Sequence, residues 1–595
     1  MSDVILDRRD LSFQLFEVLD TDALFQRPRF AEHSRETIEA ALDTAEKLAR
    51  EKFANHNSLA DKNEPTFVDG KVAMLGEVKT AFDAYINAGF LSSRASFEEG
   101  GMQLPEIAAA ACKGMFTCVN PSSTAYAFLT AAAANVIRNF ASDTLKSQFL
   151  EPMMAGRFTG TMALTEPHAG SSLADIRTRA VPQEDGSYRL KGNKIYISGG
   201  DNELADNIVH LVLAKIPGGP EGVKGISLFV VPKYRLDAQG NPGERNDVVL
   251  AGLIHKLGYR GTTSTALTFG DNDDCHGYLV GEAHQGLRYM FQMMNEARVG
   301  VGFGAAVLGY RGYRYALDYA RDRLQGRHPD QADFSKPQVP IIEHADVKRL
   351  LLTQKAYAEA AIAMSLYSYR LVDDIETGDE AAAKDAHLLL DLLTPVLKSW
   401  PSEFGVKAND MAIQVFGGAG YTREYPVEQV WRDNRLNPIH EGTTGVQGMD
   451  LLGRKVLMAN GKGLQLLARR ILADVERTTD DRCQPFAQAL KAMLPRVEAA
   501  TTAAGKLMAE QGPRMALSNA NAYLQLMGHT VAAWMWLRQA NAAAALDAPE
   551  DTDFAQGKLQ AAQYFFHWEL PRVELDAQRL IDADDTFINM DNRWF

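Results

Sequence analysis

The chain has 595 residues, 62 Lys plus Arg against 76 Asp plus Glu, a formal net charge of −14 and 46% hydrophobic residues. At roughly 100–200 residues per domain this length makes about three to five domains, or fewer large ones, and buries a sizeable core. An acidic balance with no long Lys/Arg block excludes nucleic acid and an anionic membrane surface as main partners.

Cys112, Cys118, Cys275 and Cys483 are too few for a disulfide scaffold and lack the two-residue spacing of zinc or redox pairs, so reduced thiols and no metal site are expected. The amino terminus places acids early and has no basic-then-apolar leader pattern, which predicts no secretion and a cytoplasmic location. The most apolar windows, 123–137 and 387–397, fall short of the ~20 residues that cross a bilayer, so no membrane insertion is expected.

In chain order, residues 1–34 read as an arm and 35–160 as a helical domain. The apolar spacing of Ile38, Ala41, Leu42, Ala45 and Leu48, and of Phe128, Leu129, Ala132 and Val136, carries the helical reading. From 161 to 280 short β-branched runs take over, in Lys194-Ile195-Tyr196-Ile197, around Val209 and around Val230, with a turn at Asp185-Gly186-Ser187. With no helices between them, they predict an antiparallel sheet or small barrel. Helical spacing returns over 281–460, as in Val347, Leu350, Leu351, Gln354, Ala358 and Ala361, with a three-proline loop at 327–340. A further Ala/Leu/Met-rich helical domain covers 461–595, where Trp534, Trp536 and Trp568 are expected to anchor packing. The fold class is therefore α+β, mostly α, and not alternating βαβ. Gly300, Gly302 and Gly304 sit in a helical pattern after no strand, and read as close helix packing rather than a dinucleotide fingerprint.

Four segments carry chemistry. In Met162-Ala163-Leu164-Thr165-Glu166-Pro167-His168-Ala169-Gly170-Ser171-Ser172, hydroxyls and backbone donors gather at the entry to the sheet, forming either a capped turn or a cradle for a flat heterocycle or phosphate. Tyr196 and Ser198 alternate along a strand and so share a face, as a half-buried strand or as a platform for an isoalloxazine ring. In Gln414-Val415-Phe416-Gly417-Gly418-Ala419-Gly420, one glycine suffices to stop a helix, and three point to exposed N–H groups for phosphate. In His440-Glu441-Gly442-Thr443-Thr444-Gly445-Val446-Gln447, Thr444 and Gln447 stand in capping-box register, placing Glu441 just before a helix. Gly442 leaves room beside it. That pairing of carboxylate and N–H can take a proton from carbon and stabilise the enolate; a solvated Glu before a helix is the plainer alternative.

In this order and spacing, the four segments resemble the acyl-CoA dehydrogenase family over about 35–460. Phe97-Glu98-Glu99-Gly100-Gly101-Met102-Gln103-Leu104-Pro105 and Lys256-Leu257-Gly258-Tyr259-Arg260 are similar to two further family stretches. The resemblance implies FAD held by Met162, Leu164, Thr165 and Ser171 and packed against Tyr196, Ile197 and Ser198, with Thr443 and Gly445 lining it. Arg323 and the loop of Gln414, Gly417 and Gly418 would reach FAD of a neighbouring subunit in a homodimer or higher oligomer. Ser171, Arg298 and Gly442 fall on the acyl-CoA side. Glu441 matches the base that removes the α-proton as the β-hydrogen leaves as hydride, giving a 2-enoyl-CoA, with electrons passing to electron-transfer flavoprotein. A dry acyl tunnel would raise the Glu441 pKa and a helix terminus would lower it.

The chain departs from the family pattern at Ser172 and Asn295, where Asp is frequent, and at Arg323-Leu324-Gln325-Gly326, which shortens an Arg-x-x-Phe-Gly motif. Its extensions at both ends are similar to a long bacterial subgroup containing fatty acyl-CoA and 3-methylmercaptopropionyl-CoA dehydrogenases. A fatty acyl-CoA of medium to long chain is the favoured substrate. The alternatives are 3-methylmercaptopropionyl-CoA, an acyl-CoA oxidase, and a flavin-binding assembly protein without turnover.

Overall fold

The computed structural model describes residues 4–330, 333 and 335–595. The first three residues of the expected arm, and 331, 332 and 334 of the expected loop, lie outside them. The chain divides into two compact units, one made of Ala40–Leu104 and Met115–Ala297, the other of Met1–Glu39, Pro105–Gly114 and Arg298–Phe595.

The first unit combines helices α1 (Gly76–Asn87) and α2 (Pro121–Phe140) with a sheet. Asn120 starts α2 by accepting a hydrogen bond from the Ser123 N–H, and Pro121 fills the first turn, where its missing N–H costs nothing. A small hairpin, β1 (Thr66–Val68) and β2 (Lys71–Ala73), interrupts the region expected to be wholly helical. Its signal is Asp69-Gly70, both at positive φ, as a tight hairpin requires.

The main sheet contains β3 (Phe158–Ala163), β4 (Arg179–Pro182), β5 (Tyr188–Ser198), β6 (Asn207–Lys215) and β7 (Ile226–Pro232). After a second hairpin of β8 (Tyr234–Leu236) and β9 (Pro242–Arg245), it gains β10 (Val248–Leu253), β11 (Ser264–Phe269) and β12 (His276–Leu279). The strand order is β10-β11-β5-β12-β7-β6-β3, with β4 against β5 and β6. The sheet is mixed, which corrects the expectation of an antiparallel one: β3 runs parallel to β6 from Phe158↔Asn207 to Ala163↔Val212. A tight turn forces antiparallel pairing only between strands it joins directly, and β4 and β5 intervene here. Alternate residues of β6 and β7 serve two cores: Val209, Leu211, Leu228 and Val230 join Ala133 and Ile137 of α2, while Val212, Ala214, Phe229 and Val231 join Leu267 and Phe269.

The second unit is helical: α3 (Gly286–Asp322, from Arg298 onward), α4 (Ala345–Thr377), α5 (Glu380–Phe416), α6 (Val427–Asn434), α7 (Thr444–Gly453), α8 (Lys462–Arg477), α9 (Gln484–Gln511), α10 (Ala520–Ala544), α11 (Thr552–Tyr564) and α12 (Val573–Ile581). Pro395 and Pro401 lie inside α5. Pro401 offers no N–H to the Leu397 carbonyl, and Gly302 of α3 approaches that oxygen so closely that a Cβ there would lie 1.8 Å from it. Gly302 is thus a packing glycine. Trp534 and Trp536 are buried, with indole N–H groups donating to Asp474 Oδ2 at 2.7 Å and the Ala356 carbonyl at 3.0 Å. Trp568 is 57% exposed, which corrects its reading as an anchor: the π-turn Phe565–Glu569 buries Phe565, Phe566 and Glu569 and turns Trp568 outward. The described part of 327–340 is irregular, closed at its base by a bridge between Leu324 and Pro340. All four cysteines are buried. Among the described residues no side-chain cluster could hold a metal, and no helix is long and apolar enough to cross a membrane.

Candidate active site

Glu441 stands between α6 and α7 with φ +54, a left-handed backbone that costs a non-glycine residue roughly 1–2 kcal/mol and persists only where its surroundings enforce it. The enforcing contacts are specific. Gln447, fully buried in the first turns of α7, donates its side-chain N–H to the Glu441 carbonyl at 3.1 Å. Lys398, fully buried in α5, donates from Nζ to the Gly442 carbonyl at 2.6 Å. Gly442 has φ +93, and a Cβ on it would meet Gln447 Nε2 at 2.5 Å, so glycine is required there on two counts.

Upstream, a chain of side-chain amides pins the approach to Glu441. Asn409 Nδ2 donates to the Leu308 carbonyl at 2.9 Å, Asn434 Nδ2 to Asn409 Oδ1 at 2.6 Å, and Asn437 Nδ2 to Asn434 Oδ1 at 2.8 Å, while His440 Nε2 lies 3.0 Å from Asn437 Oδ1. Downstream, Thr443 rather than Thr444 caps α7, accepting from the Val446 N–H, and Gln447 reaches the Glu441 carbonyl instead of closing a capping box. Among the described residues the Glu441 N–H donates to no group of the chain.

Burial pushes the Glu441 carboxyl above the usual range, against the opposing pull of Arg298 and Lys398. Desolvation therefore outweighs the attractions around it. Burial also lowers Lys398 to about 8 and His440 to about 3, which keeps the imidazole neutral. Arg298 is buried on α3, with Nη1 3.6 Å from Asp450 Oδ2 of α7.

At the other end of the same helices, Tyr319 of α3 stacks on Phe416 of α5 with ring centres 4.1 Å apart, which brings Arg323 and Gln414, in the last turn of α5 rather than in a loop, to one end of the bundle. Gln414, Gly417 and Gly418 are exposed. Gly417 stops α5 at φ +60, and Gly420 packs so that a Cβ would lie 2.6 Å from the Ile413 carbonyl. Gly418 has neither requirement, and nothing lies within 4 Å of where its Cβ would be; Gly445 is equally open.

In the sheet unit, Met162 lies on β3, and Leu164 and Thr165 follow it directly. This segment is clamped to β5: the Ile195 N–H donates to the Thr165 carbonyl at 2.9 Å, and buried Lys194 donates from Nζ to the Leu164 carbonyl and to Glu166 Oε1, both at 2.9 Å. Glu166 also accepts from the Arg177 N–H, the Thr178 N–H and the Thr178 hydroxyl at 2.7, 3.0 and 2.6 Å. Burial pushes its carboxyl up, but Lys194 and these donors together bring it below the usual range. Ser171 is exposed in the loop beyond. A bulge in β5 opposite β11 contains Tyr196 at φ +60, 63% exposed; Ser198 is exposed and Ile197 buried.

Family descriptions match three stretches: "Acyl-CoA dehydrogenase, middle domain" over 161–272, "Acyl-CoA dehydrogenase, C-terminal domain" over 284–457, and "Acetyl-CoA dehydrogenase C-terminal like" over 467–591. A 3-methylmercaptopropionyl-CoA dehydrogenase of Ruegeria pomeroyi is 35% identical over 98% of both chains. The chain belongs to the acyl-CoA dehydrogenase family. Membership makes it an enzyme of the acyl-CoA dehydrogenase class, whose cofactor is FAD. The broad-specificity linear acyl-CoA dehydrogenase FadE5 of Mycobacterium tuberculosis is 33% identical over 99% of both chains. The acyl-CoA dehydrogenase fold also appears in a Bacillus anthracis acyl-CoA dehydrogenase structure, with TM-score 0.76 and 19% identity over 96% of this chain and 92% of that one.

Lys398 and the Asn409–Asn434–Asn437 series were not singled out in the sequence, and Gln447 reads there as closing a capping box rather than as a donor to the Glu441 carbonyl. One signal was present for the first: a single lysine in the apolar run Leu392-Leu393-Thr394-Pro395-Val396-Leu397-Lys398-Ser399-Trp400.

Proposed function

We propose that this acyl-CoA dehydrogenase oxidises a fatty acyl-CoA, medium to long chains favoured, to the trans-2-enoyl-CoA in β-oxidation, with Glu441 as the base. One observation carries the reading: a half-buried carboxyl, pushed up by desolvation, on an enforced left-handed turn whose own N–H has no partner among the described residues. The α-hydrogen of a thioester is weakly acidic, so its removal requires a donor for the oxygen that gains charge, and one such donor is worth about 2.7–4 kcal/mol. The Glu441 N–H fits that role, and the raised pKa makes the carboxylate a stronger base. Ser171, Arg298 and Gly442 are assigned to the substrate side.

For FAD, the fit rests on exposed Tyr196 and Ser198 beside the clamped Leu164–Thr165 backbone, and on the open surroundings of Gly417, Gly418 and Gly445, which let a flat or phosphate-bearing molecule approach the main chain. Met162, Leu164, Thr165, Ser171, Tyr196, Ile197, Ser198, Thr443 and Gly445 would hold it, with Arg323, Gln414, Gly417 and Gly418 serving the cofactor of a neighbouring subunit in a homodimer or higher oligomer. Bound FAD supplies the acceptor for the hydride leaving the β-carbon. Electron-transfer flavoprotein is the proposed electron acceptor and the cytoplasm the proposed location.

The Ruegeria relative, similar over nearly its whole length, favours 3-methylmercaptopropionyl-CoA as a second substrate reading. An anaerobic titration of the holoenzyme with a panel of saturated acyl-CoAs and 3-methylmercaptopropionyl-CoA, followed by flavin absorbance, separates the two. Glu441→Gln is expected to bind FAD normally and to lose bleaching by every substrate. Bleaching that survives in this variant overturns the assignment. Peroxide release in air, without reduction of electron-transfer flavoprotein, would make the enzyme an oxidase, and no bleaching by any thioester would leave a flavin-binding assembly protein.

A further inference from the structure

Lys398 is unusual in its cost. It is fully buried in an apolar stretch of α5, makes its one hydrogen bond with the Gly442 carbonyl, and has no carboxylate within ion-pair distance among the described residues. Burying an ammonium without a paired carboxylate costs several kcal/mol. A tether between α5 and the loop before α7 needs no charge, since a neutral amide donor would serve. The carbonyl it holds belongs to the residue after Glu441, and the preceding carbonyl is held by Gln447. Between them the two buried donors fix both peptide planes flanking Gly442, and so anchor the carboxyl side of the left-handed Glu441. Pro401 and Gly302 bring α3 against α5 beside Lys398, close enough to leave no side chain between them.

We propose that Lys398 is a positioning residue for Glu441: its ammonium, by holding the Gly442 carbonyl, fixes the turn on which the Glu441 carboxylate stands. The inference rests on the reading of Glu441 as the base. Lys398 does not itself touch the reacting atoms. The charges that bear on Glu441 are Arg298 from α3 and Lys398 from α5; Asp450 and Arg454 act in turn on Arg298, Glu403 on Lys398, and the neighbouring His440 stays neutral.

The test compares purified holoenzymes of wild type, Lys398→Met, Lys398→Gln and Glu441→Gln for FAD content, thermal midpoint, kcat, KM and the pH profile of kcat/KM with one acyl-CoA that turns over. Misaligning a reacting group by about 1 Å costs about a hundredfold in rate, so Lys398→Met is expected to lose that much in kcat with KM and FAD content nearly unchanged. Its acid limb is expected to move to higher pH, because a positive charge near the carboxylate is gone. Lys398→Gln keeps a donor without the charge and is expected to regain part of kcat but not the acid limb. A Lys398→Met enzyme with wild-type kcat and acid limb overturns the proposal, as does a loss of kcat that only tracks lost FAD. If Lys398→Met does not fold, an unchanged kcat and acid limb in Lys398→Gln overturn it instead. Turnover surviving in Glu441→Gln sinks the base assignment itself; an inactive Glu441→Gln beside a normal Lys398→Met sinks only the role of Lys398.

Discussion

Glu441 combines a strained backbone with a half-buried carboxyl. The strain is held by Gln447 and Lys398, and the carboxyl answers burial with a raised pKa. The sign for catalysis follows directly. A base works only when deprotonated, so kcat/KM is expected to climb with pH through an acid limb above the ordinary glutamate range, about 4.3. A pH–rate profile of wild type checks this, and a limb at or below that range would show that Arg298 and Lys398 outweigh burial. The place of Glu441 just before a helix was legible in the sequence from Glu-Gly-Thr-Thr. Lys398 was not, because its partner is a main-chain carbonyl 44 residues away, and no residue pattern announces a carbonyl.

Among the elements, β5 serves the proposed flavin side twice. Its bulge turns Tyr196 outward, and two residues earlier Lys194 reaches inward to the Leu164 carbonyl and Glu166. Lys194→Met would leave the Glu166 carboxylate buried without its cation, a change that costs about 3–5 kcal/mol. The expected result is a lowered chemical-denaturation midpoint together with weaker FAD binding, read by fluorescence titration; a lowered midpoint with unchanged FAD affinity would confine Lys194 to structural support. The strands themselves were readable from β-branched runs, and the long helices from their apolar spacing. What escaped was pairing: the parallel β3–β6 ladder depends on which strands intervene, and the β1–β2 hairpin is too short for periodicity to show, although Asp69-Gly70 marks it. The outward turn of Trp568 follows from one extra residue in the π-turn, which shifts every later side chain around the helix.

At the scale of the whole chain, the helical unit is discontinuous, and its arm is held by charge as well as by apolar packing. Lys558, fully buried on α11, donates to Asp10 Oδ1 at 2.5 Å, to Glu359 Oε2 at 2.8 Å and to Gln539 Oε1 at 3.1 Å, and Gln14 Nε2 adds a bond to the same Gln539 oxygen at 2.6 Å. Lys558→Met would leave Glu359 paired with half-buried Lys355, which also acts on Asp10 through its charge. Several kcal/mol of stability are expected to be lost at neutral pH, with the deficit shrinking as acid protonates the two carboxyls. Hydrogen exchange of residues 8–18 is expected to accelerate; unchanged exchange there would show that Phe13 and Leu15 hold the arm unaided. The network has a consequence for how the protein is made. Asp10 leaves the ribosome 548 residues ahead of Lys558, which at about 5–20 residues per second is a wait of roughly half a minute to two minutes. Throughout that interval the arm, with its buried phenylalanines and leucines, has no finished seat, so the first segment synthesised is among the last to be secured.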